Sequence, residues 1–146
     1  MPDFGYAKGR IAETVAFILD EVKEFDSEYA DKTWKEYQND KKLQKLMDRT
    51  VENIITALIE LCGTVITKEN ISAVNYADVL SKCAKFYKLD EPVQKNFSML
   101  AIQRNKLAHR YLYFRWQAIK LFSEQEENIL KLLNIVIDSP YMSDDK

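Results

Sequence analysis

The chain has 146 residues, of which 47% are hydrophobic and 12% aromatic, and its formal net charge is −2. This length is typical of one domain with a single sizeable core. Three glycines and three prolines leave little material for tight hairpins, so the composition favours an all-α fold. MPDFGYAKGR, at the start, has no apolar core of secretory-signal length, and no apolar run approaches the roughly 18–20 residues of a membrane span. We therefore expect a cytoplasmic protein.

The two cysteines, Cys62 and Cys83, are far apart in the sequence and lack the spacing of a metal site. Only one histidine is present to assist them, so a zinc site is not expected. The cysteines also do not indicate a disulfide scaffold. We predict reduced, buried thiols, with no bound metal and no cofactor.

Two long amphipathic helices are predicted in the first half of the chain. The first begins after Arg10, covers about five turns, and carries the apolar stripe Ile11, Val15, Ile18, Val22, Phe25 and Tyr29. The second follows the polar stretch YQNDKK, ends before TKEN, and carries the stripe Leu43, Met47, Val51, Ile54, Leu58, Leu61 and Val65. The simplest packing is an antiparallel pair. The long connection ADKTWKEYQNDKK joins these two helices, and no element is predicted in it.

Three further helices are predicted in the second half. After a loop at residues 70–75, Asn75 can cap a short third helix that runs through Lys88. Pro92 suits the first turn of a fourth helix, whose stripe is Val93, Phe97, Leu100, Ala101, Leu107 and Ala108. A fifth helix ends at the tripeptide DSP and carries the stripe Ile119, Phe122, Ile129, Leu133 and Val136. No repeat or linker divides the chain, so we predict one domain over residues 1–146 with short tails at 1–9 and 139–146.

The charge of the chain is unevenly distributed. Residues 92–123 contain no acidic residue and carry a charge of +6, so the rest of the chain carries −8. The cations of this segment are Lys95, Arg104, Lys106, Arg110, Arg115 and Lys120. A cationic face on an acidic protein suits a polyanion.

RNKLAHRY, residues 104–111, contains the single histidine of the chain and lies in this basic segment. On a continuous helix Asn105 and His109 would share a face, whereas Arg104 and His109 would be about 140° apart. The arginine would have to reach around the helix, the helix would have to loosen, or a second copy would have to supply the missing half. His109 and Tyr111 can serve one site only if the helix ends or distorts between them.

These residue types are suited to RNA cleavage. A neutral imidazole can take a proton from a 2′-hydroxyl, and a guanidinium can bind the scissile phosphate and stabilise its developing charge, without a metal. Lys106, Arg110 and Arg115 are candidate RNA-binding residues, and the aromatic stretch YLYFRW at 111–116 offers surface on which bases can stack. On spacing alone, however, a lone histidine is more often a solvated or capping residue, and Phe114 and Trp116 are more typical of a core.

The order Arg104, Asn105, His109 and Tyr111 matches the R-N-x-x-x-H-x-Y signature of the HEPN superfamily, and the chain resembles its HepT-like ribonuclease toxins. RTVENIITALIELCGTVI resembles the second long helix of that family, and NYADVLSKCAKFYKL resembles its short third helix. The resemblance covers roughly residues 10–137. Ala108 stands where the family more often has valine, a difference that bears on packing.

The resemblance implies a HEPN-type antiparallel bundle of about five helices that forms a homodimer, with the motifs of both subunits at one composite cleft. It implies the toxin of a type VII-like toxin-antitoxin system, a metal-independent endoribonuclease whose antitoxin is a small MNT-type nucleotidyltransferase. His109 would be the general base or acid, Arg104 the phosphate clamp and Asn105 an orienting group. Tyr111 would be the residue that the antitoxin modifies with AMP, which would occupy the anion site and block RNA entry.

Two other functions are compatible with the sequence. One is a non-catalytic helical module whose HEPN surface binds nucleotide or a nucleotidyltransferase partner. The other is a purely structural dimer, for which basic residues would be scattered over the surface. The position of the motif inside the acid-free segment favours the ribonuclease.

Overall fold

The computed structural model describes residues 10–142, which form six α-helices and no strand. The helices are α1 (Ile11–Glu28), α2 (Trp34–Gln38), α3 (Lys41–Lys68), α4 (Tyr76–Phe86), α5 (Glu91–Arg104) and α6 (Leu112–Ile137). Two short 3-10 turns, Asn105–Ala108 and Pro140–Met142, follow α5 and α6. The predicted all-α fold is confirmed, and the predicted helices correspond to α1, α3, α4, α5 and α6.

The core forms around α3, which contacts each of the other five α-helices. The buried side of α1 consists of the predicted stripe from Ile11 to Phe25, and Tyr29 packs against it partly buried. Burying side chains of this size stabilises a fold by about 1.5–3 kcal/mol each. By length and mean hydropathy (1.4), α3 passes as a membrane span, but 72% of that window is buried inside the bundle, as expected of a core helix.

The short helix α2 lies in the connection between α1 and α3, where no element was predicted. It begins with a capping box, because the Thr33 hydroxyl accepts the Glu36 N–H at 3.2 Å and the Glu36 carboxylate accepts the Thr33 N–H at 3.1 Å. Five residues are too few to show an apolar stripe. The helix nevertheless places Tyr37 in the core, where its side chain is fully buried.

The helices of the second half begin where the sequence indicates but do not all end there. The Asn75 side chain accepts the Asp78 N–H at 2.8 Å and caps α4, which ends at Phe86 because Lys88 adopts a left-handed conformation with φ of 63°. Asp90 caps α5, and Pro92 lies in its first turn. The prediction that α5 continues through Ala108 is wrong: Leu107 is buried as expected, but Ala108 is exposed in the 3-10 turn. All five predicted stripe residues of α6 are buried.

The predicted tails are described only in part. Residues 1–9 and 143–146 lie outside the described residues. Within the second tail, the turn Pro140–Met142 packs Tyr141 and Met142 against the core, and the Tyr141 hydroxyl donates to the Glu69 carboxylate. The start of this segment is therefore part of the fold.

Both cysteines are buried, and neither forms a disulfide. Burial raises the pKa of the Cys62 thiol well above its ordinary value, and a hydrogen bond with Cys83 acts in the same direction. The expected burial is confirmed.

A pair of carboxyl groups between α1 and α6 makes stability depend on pH. Burial, together with a hydrogen bond to Asp26 and the charge of that residue, raises the pKa of Glu126 to about 8 from its ordinary value of 4.5. The folded chain therefore retains a proton that the unfolded chain releases, and this stabilisation is lost as pH rises through that interval.

We expect Glu126→Gln, which mimics the protonated carboxyl, to raise the free energy of unfolding at about pH 8 by about 1 kcal/mol after allowance for solvent screening. Urea unfolding at about pH 5 and about pH 8 measures the effect. Glu127→Gln, at an exposed neighbour, is the matched control. Equal pH slopes in wild type and Glu126→Gln would contradict the assignment.

Candidate active site

The motif lies in the junction where the chain leaves α5 and enters α6. After Arg104 the backbone tightens into the 3-10 turn, and the His109 N–H donates to the Lys106 carbonyl at 3.0 Å. His109 is extended (φ −74°, ψ 143°), and so is Tyr111 (φ −81°, ψ 118°), directly before α6. The helix thus ends before His109, and the two residues are not held on opposite faces of one helix.

The His109 side chain is half-buried and turned towards Tyr111. Nδ1 accepts the backbone N–H of Tyr111 at 3.1 Å, so the neutral ring carries its proton on Nε2. The imidazole stacks on the Tyr111 ring, with centroids 5.0 Å apart and planes 28° apart. Phe114 lies edge-on, with its centroid 4.8 Å away. Nε2 is the nitrogen left for an external partner.

Exposed aromatic rings and cations surround the imidazole. Tyr111 is 55% exposed and Phe114 is 38% exposed. Lys106 Nζ lies 5.4 Å from the Phe114 centroid, and the Arg110 guanidinium carbon lies 5.4 Å from the Tyr111 centroid. The expectation that Phe114 belongs to the core is wrong, because Phe114 faces outwards against His109.

The companion expectation for Trp116 is confirmed. Trp116 is partly buried against the core, where its ring lies 5.2 Å from that of Tyr37 and 6.0 Å from that of Trp34. The aromatic stretch is thus divided between the surface beside His109 and the packing around α2.

Arg104 and Asn105 are placed differently from His109. The Arg104 side chain turns towards α3 and α4: its Nη1 donates to the Thr56 hydroxyl at 3.3 Å, and its guanidinium carbon lies 5.6 Å from the Tyr76 centroid. Asn105 is exposed at the start of the 3-10 turn. The structure therefore groups His109 with Tyr111, Lys106 and Arg110, while Arg104 has partners on other helices.

Arg115 is held by protein groups on both sides. Its Nε donates to the His109 carbonyl at 2.7 Å, and its Nη1 lies 2.9 Å from Asp48 Oδ2. The Tyr37 hydroxyl donates to Asp48 Oδ1 at 2.6 Å. The prediction that Arg115 contacts RNA is not tested by these contacts, but the contacts give it a role within the fold.

Burial shifts the pKa values of two groups in this network, Asp48 and Tyr37. Burial raises the pKa of Asp48, and the hydrogen bonds from Tyr37 and Arg115 counteract that rise only in part. Burial also raises the pKa of Tyr37, and the hydrogen bond to Asp48 adds to the effect. Tyr37 is therefore a permanent donor near neutral pH.

Asp48 and Tyr37 were not identified from the sequence. One signal was present: Asp48 stands three residues before Val51 and seven before Ile55, so a charged residue lies in register with a buried stripe of α3. A buried carboxylate requires a partner. The identity of the partner was not readable, because Arg115 is 67 residues away in the sequence.

The central helix separates the two ends of the site. Thr56, which binds Arg104, and Asp48, which binds Arg115, are eight residues apart on α3, or about 12 Å along its axis. Within one chain, Arg104 and Arg115 are therefore bound to positions of α3 that lie about two helical turns apart.

A groove of about 470 Å³ lies between α1 and α3, next to the Arg104 contact. It is lined by Arg10, Glu13, Thr14, Phe17, Glu52, Asn53, Thr56, Ala57 and Glu60. Its three glutamates disfavour an RNA backbone, so the basic surface around His109 is the better candidate for one. Within residues 10–142, no three His, Cys, Asp or Glu side chains are grouped as a metal site requires.

The fold and the junction together define a class: an all-α domain that carries a histidine and basic residues at a break between two helices. The family model "Ribonuclease HepT-like" matches residues 18–134, more than half of the chain. The chain belongs to the HepT-like ribonuclease family of the HEPN superfamily. No curated protein and no solved structure gives a significant match. The resemblance inferred from the motif is confirmed.

Proposed function

We propose that the protein is an endoribonuclease toxin that cleaves cytoplasmic RNA without a metal, with His109 and Arg104 as its catalytic residues. The observation that carries the proposal is the position of His109: its imidazole lies at a helix break between exposed aromatic rings and cations, in a chain of a ribonuclease family. A ribonuclease requires both a proton-transfer group and positive charge near the scissile phosphate.

In the proposed reaction the 2′-oxygen attacks phosphorus and the bond from phosphorus to the 5′-oxygen breaks. The 2′-hydroxyl proton passes to a His109 imidazole, and the imidazolium so formed, or water, gives a proton to the departing 5′-oxygen. With Nδ1 occupied by the Tyr111 N–H, His109 presents a proton on Nε2. To accept the 2′-hydroxyl proton at Nε2, the ring has to give up that contact and carry its proton on Nδ1. Arg104 would stabilise the charge on the phosphate.

RNA binding is assigned to the exposed surface beside His109. Lys106 and Arg110 lie against aromatic rings there, from which their charges can reach phosphates, and Tyr111 and Phe114 offer faces for unpaired bases. Arg115, whose guanidinium binds Asp48 and the His109 carbonyl, is assigned to the organisation of this surface.

We expect the purified protein to cleave tRNA or mRNA in EDTA. His109→Ala should lower the rate by about 10²–10⁴-fold and Arg104→Ala by about 10²–10³-fold, because they remove proton transfer and charge stabilisation, respectively. Lys95→Ala removes an exposed cation from the same helix as Arg104 and is the matched control. If wild type and His109→Ala are equally inert across these substrates, the protein is not this ribonuclease.

We propose further that the active cleft is composite and forms in a homodimer. Three features support this: Arg104 has partners on α3 and α4, its anchor is about 12 Å from that of Arg115, and α5 exposes Ile102 to 51%. Since α5 also buries Phe97 and Leu100, apolar residues lie on more than one of its faces. Ile102, an exposed apolar residue two positions before the proposed catalytic arginine, is suited to contact with a second copy.

Mixed dimers test the composite cleft. Neither Arg104→Ala nor His109→Ala should be active alone, but random pairing of the two should restore about a quarter of wild-type activity. Half of the dimers would be mixed, and one of the two Arg104–His109 pairs in the cleft of each mixed dimer would be intact. Activity that stays at the level of the single variants, in dimers shown to have exchanged subunits, would place both groups in one chain.

Tyr111 is the proposed target of an MNT-type nucleotidyltransferase antitoxin. Its side chain is exposed and lies beside both His109 and Arg110. The phenolic oxygen would attack the α-phosphorus of ATP, pyrophosphate would leave, and the phenolic proton would pass to a base on the transferase. The product places a phosphodiester charge and an adenosine over the imidazole, which would exclude RNA.

We expect coexpression with such a transferase to add AMP to Tyr111 and to abolish cleavage. Tyr111→Phe should escape modification and remain active, because the backbone N–H and the stacked ring persist. Tyr113→Phe, at a tyrosine with similar exposure, is the control and should still be modified and inhibited. Intact-mass and peptide mass spectrometry measure the outcome, and modification of Tyr113 in place of Tyr111 would contradict the assignment.

A further inference from the structure

We propose that Arg115 is the positioning residue of His109, and that Asp48 and Tyr37 hold Arg115 in the required orientation. Through this chain of contacts, the fold would close Nδ1 against the Tyr111 N–H and hold the imidazole in place, and the contact would open when Nε2 accepts a proton. The catalytic part of this inference rests on the proposed ribonuclease function, whereas the effect on the imidazole does not.

The backbone of His109 is held by a side chain of α6. Its carbonyl lies outside the helical hydrogen bonds of α5 and α6, and Arg115 Nε donates to it at 2.7 Å from the first turns of α6. This contact ties residue 109 to residue 115 and fixes the peptide that follows His109. A fixed peptide is what directs the Tyr111 N–H, two residues on, back to Nδ1 at 3.1 Å. The result resembles an Asx turn with imidazole as the acceptor.

The orientation of Arg115 is fixed by two hydrogen bonds. Its Nε and Nη1 serve two different acceptors, the His109 carbonyl and Asp48 Oδ2, so the planar guanidinium bridges the junction and α3. Side-chain exposure is only 21% for Arg115 and 13% for Asp48, which limits screening by solvent. A lysine ammonium in place of the guanidinium lacks this planar fork.

Asp48 is oriented by Tyr37, whose hydroxyl donates to Asp48 Oδ1 at 2.6 Å. Because Tyr37 is fully buried and packs against Trp116, this donor keeps its place and satisfies the carboxylate away from water. Both carboxylate oxygens are thus engaged, which sets the plane of the carboxylate and with it the plane of the guanidinium. The position of α2 is in this way connected to the tautomer of the catalytic ring.

The test uses the fact that His109 is the single histidine of the chain, so its imidazole nitrogens give unambiguous NMR signals. In the wild-type protein at a pH where the ring is neutral, we expect ¹⁵N shifts of the Nε2–H tautomer. Arg115→Lys and Asp48→Asn should give a mixture of tautomers, and Tyr37→Phe a smaller change in the same direction. Lys131→Gln on α6 and Lys42→Gln on α3 remove exposed charges and are the matched controls.

The same variants should lower kcat for RNA cleavage by about 10–100-fold and change KM by less than about threefold. An imidazole that is no longer held in place costs rate more than binding, even though the Nδ1 contact has to open during proton transfer. Circular dichroism and urea unfolding identify variants that do not fold. If Arg115→Lys fails to fold, Asp48→Asn and Tyr37→Phe carry the test, since each leaves the arginine in place.

An unchanged tautomer in folded Arg115→Lys or Asp48→Asn would overturn the proposal. It would equally be overturned if KM rose in proportion to lost RNA affinity while the tautomer stayed the same, because Arg115 would then be an RNA contact. A shifted tautomer in a protein whose wild type does not cleave RNA would support the positioning role and reject the ribonuclease function. The two ideas can therefore fail separately.

Discussion

The hydrogen bond from Arg115 to the His109 carbonyl is the contact on which the arrangement of the junction depends. A chain that leaves one helix and enters another has backbone groups without helical partners, and such groups are costly when removed from water. Here a guanidinium supplies the missing donor at 2.7 Å. Because the same guanidinium is bound to Asp48, the conformation of the junction is set by the core of the bundle and not by the local sequence alone.

The central helix α3 connects stability to the site. Its buried residues form the core with α1, α4 and α6, and its partly buried polar positions Asp48 and Thr56 hold Arg115 and Arg104. A rigid helix is a better support for a reactive geometry than a loop, since its side chains are fixed by packing on every side. His109, the proposed proton-transfer group, can then occupy a short connection that is open to a large substrate.

The features that could be predicted from the sequence depend on residues close together in the chain. Those that could not depend mainly on contacts between residues far apart in the chain. The stripes of α1, α3 and α6, the cap at Asn75 and the position of Pro92 in the first turn of α5 are local, so periodicity and side-chain chemistry were sufficient. The end of α5 was missed because Leu107 continues the apolar stripe through the 3-10 turn. The contact between Asp48 and Arg115 joins residues far apart in the sequence, so it could not be predicted. The helix α2 is too short to show an apolar stripe, although its capping box, formed by Thr33 and Glu36, is visible in the sequence.

The cations of the basic segment, residues 92–123, are not all available to a bound polyanion, because some of them already have protein partners. Six cations without an acidic neighbour suggest a broad polyanion surface, but Arg115 is paired with Asp48 and Arg104 is directed to Thr56 and Tyr76. Around His109 the cations held against exposed rings are Lys106 and Arg110. A phosphate at His109 would therefore meet a small number of charges in one chain. A second copy that presents its own Arg104 would supply the charge that phosphodiester cleavage requires, which is the physical reason to place the proposed cleft between two subunits.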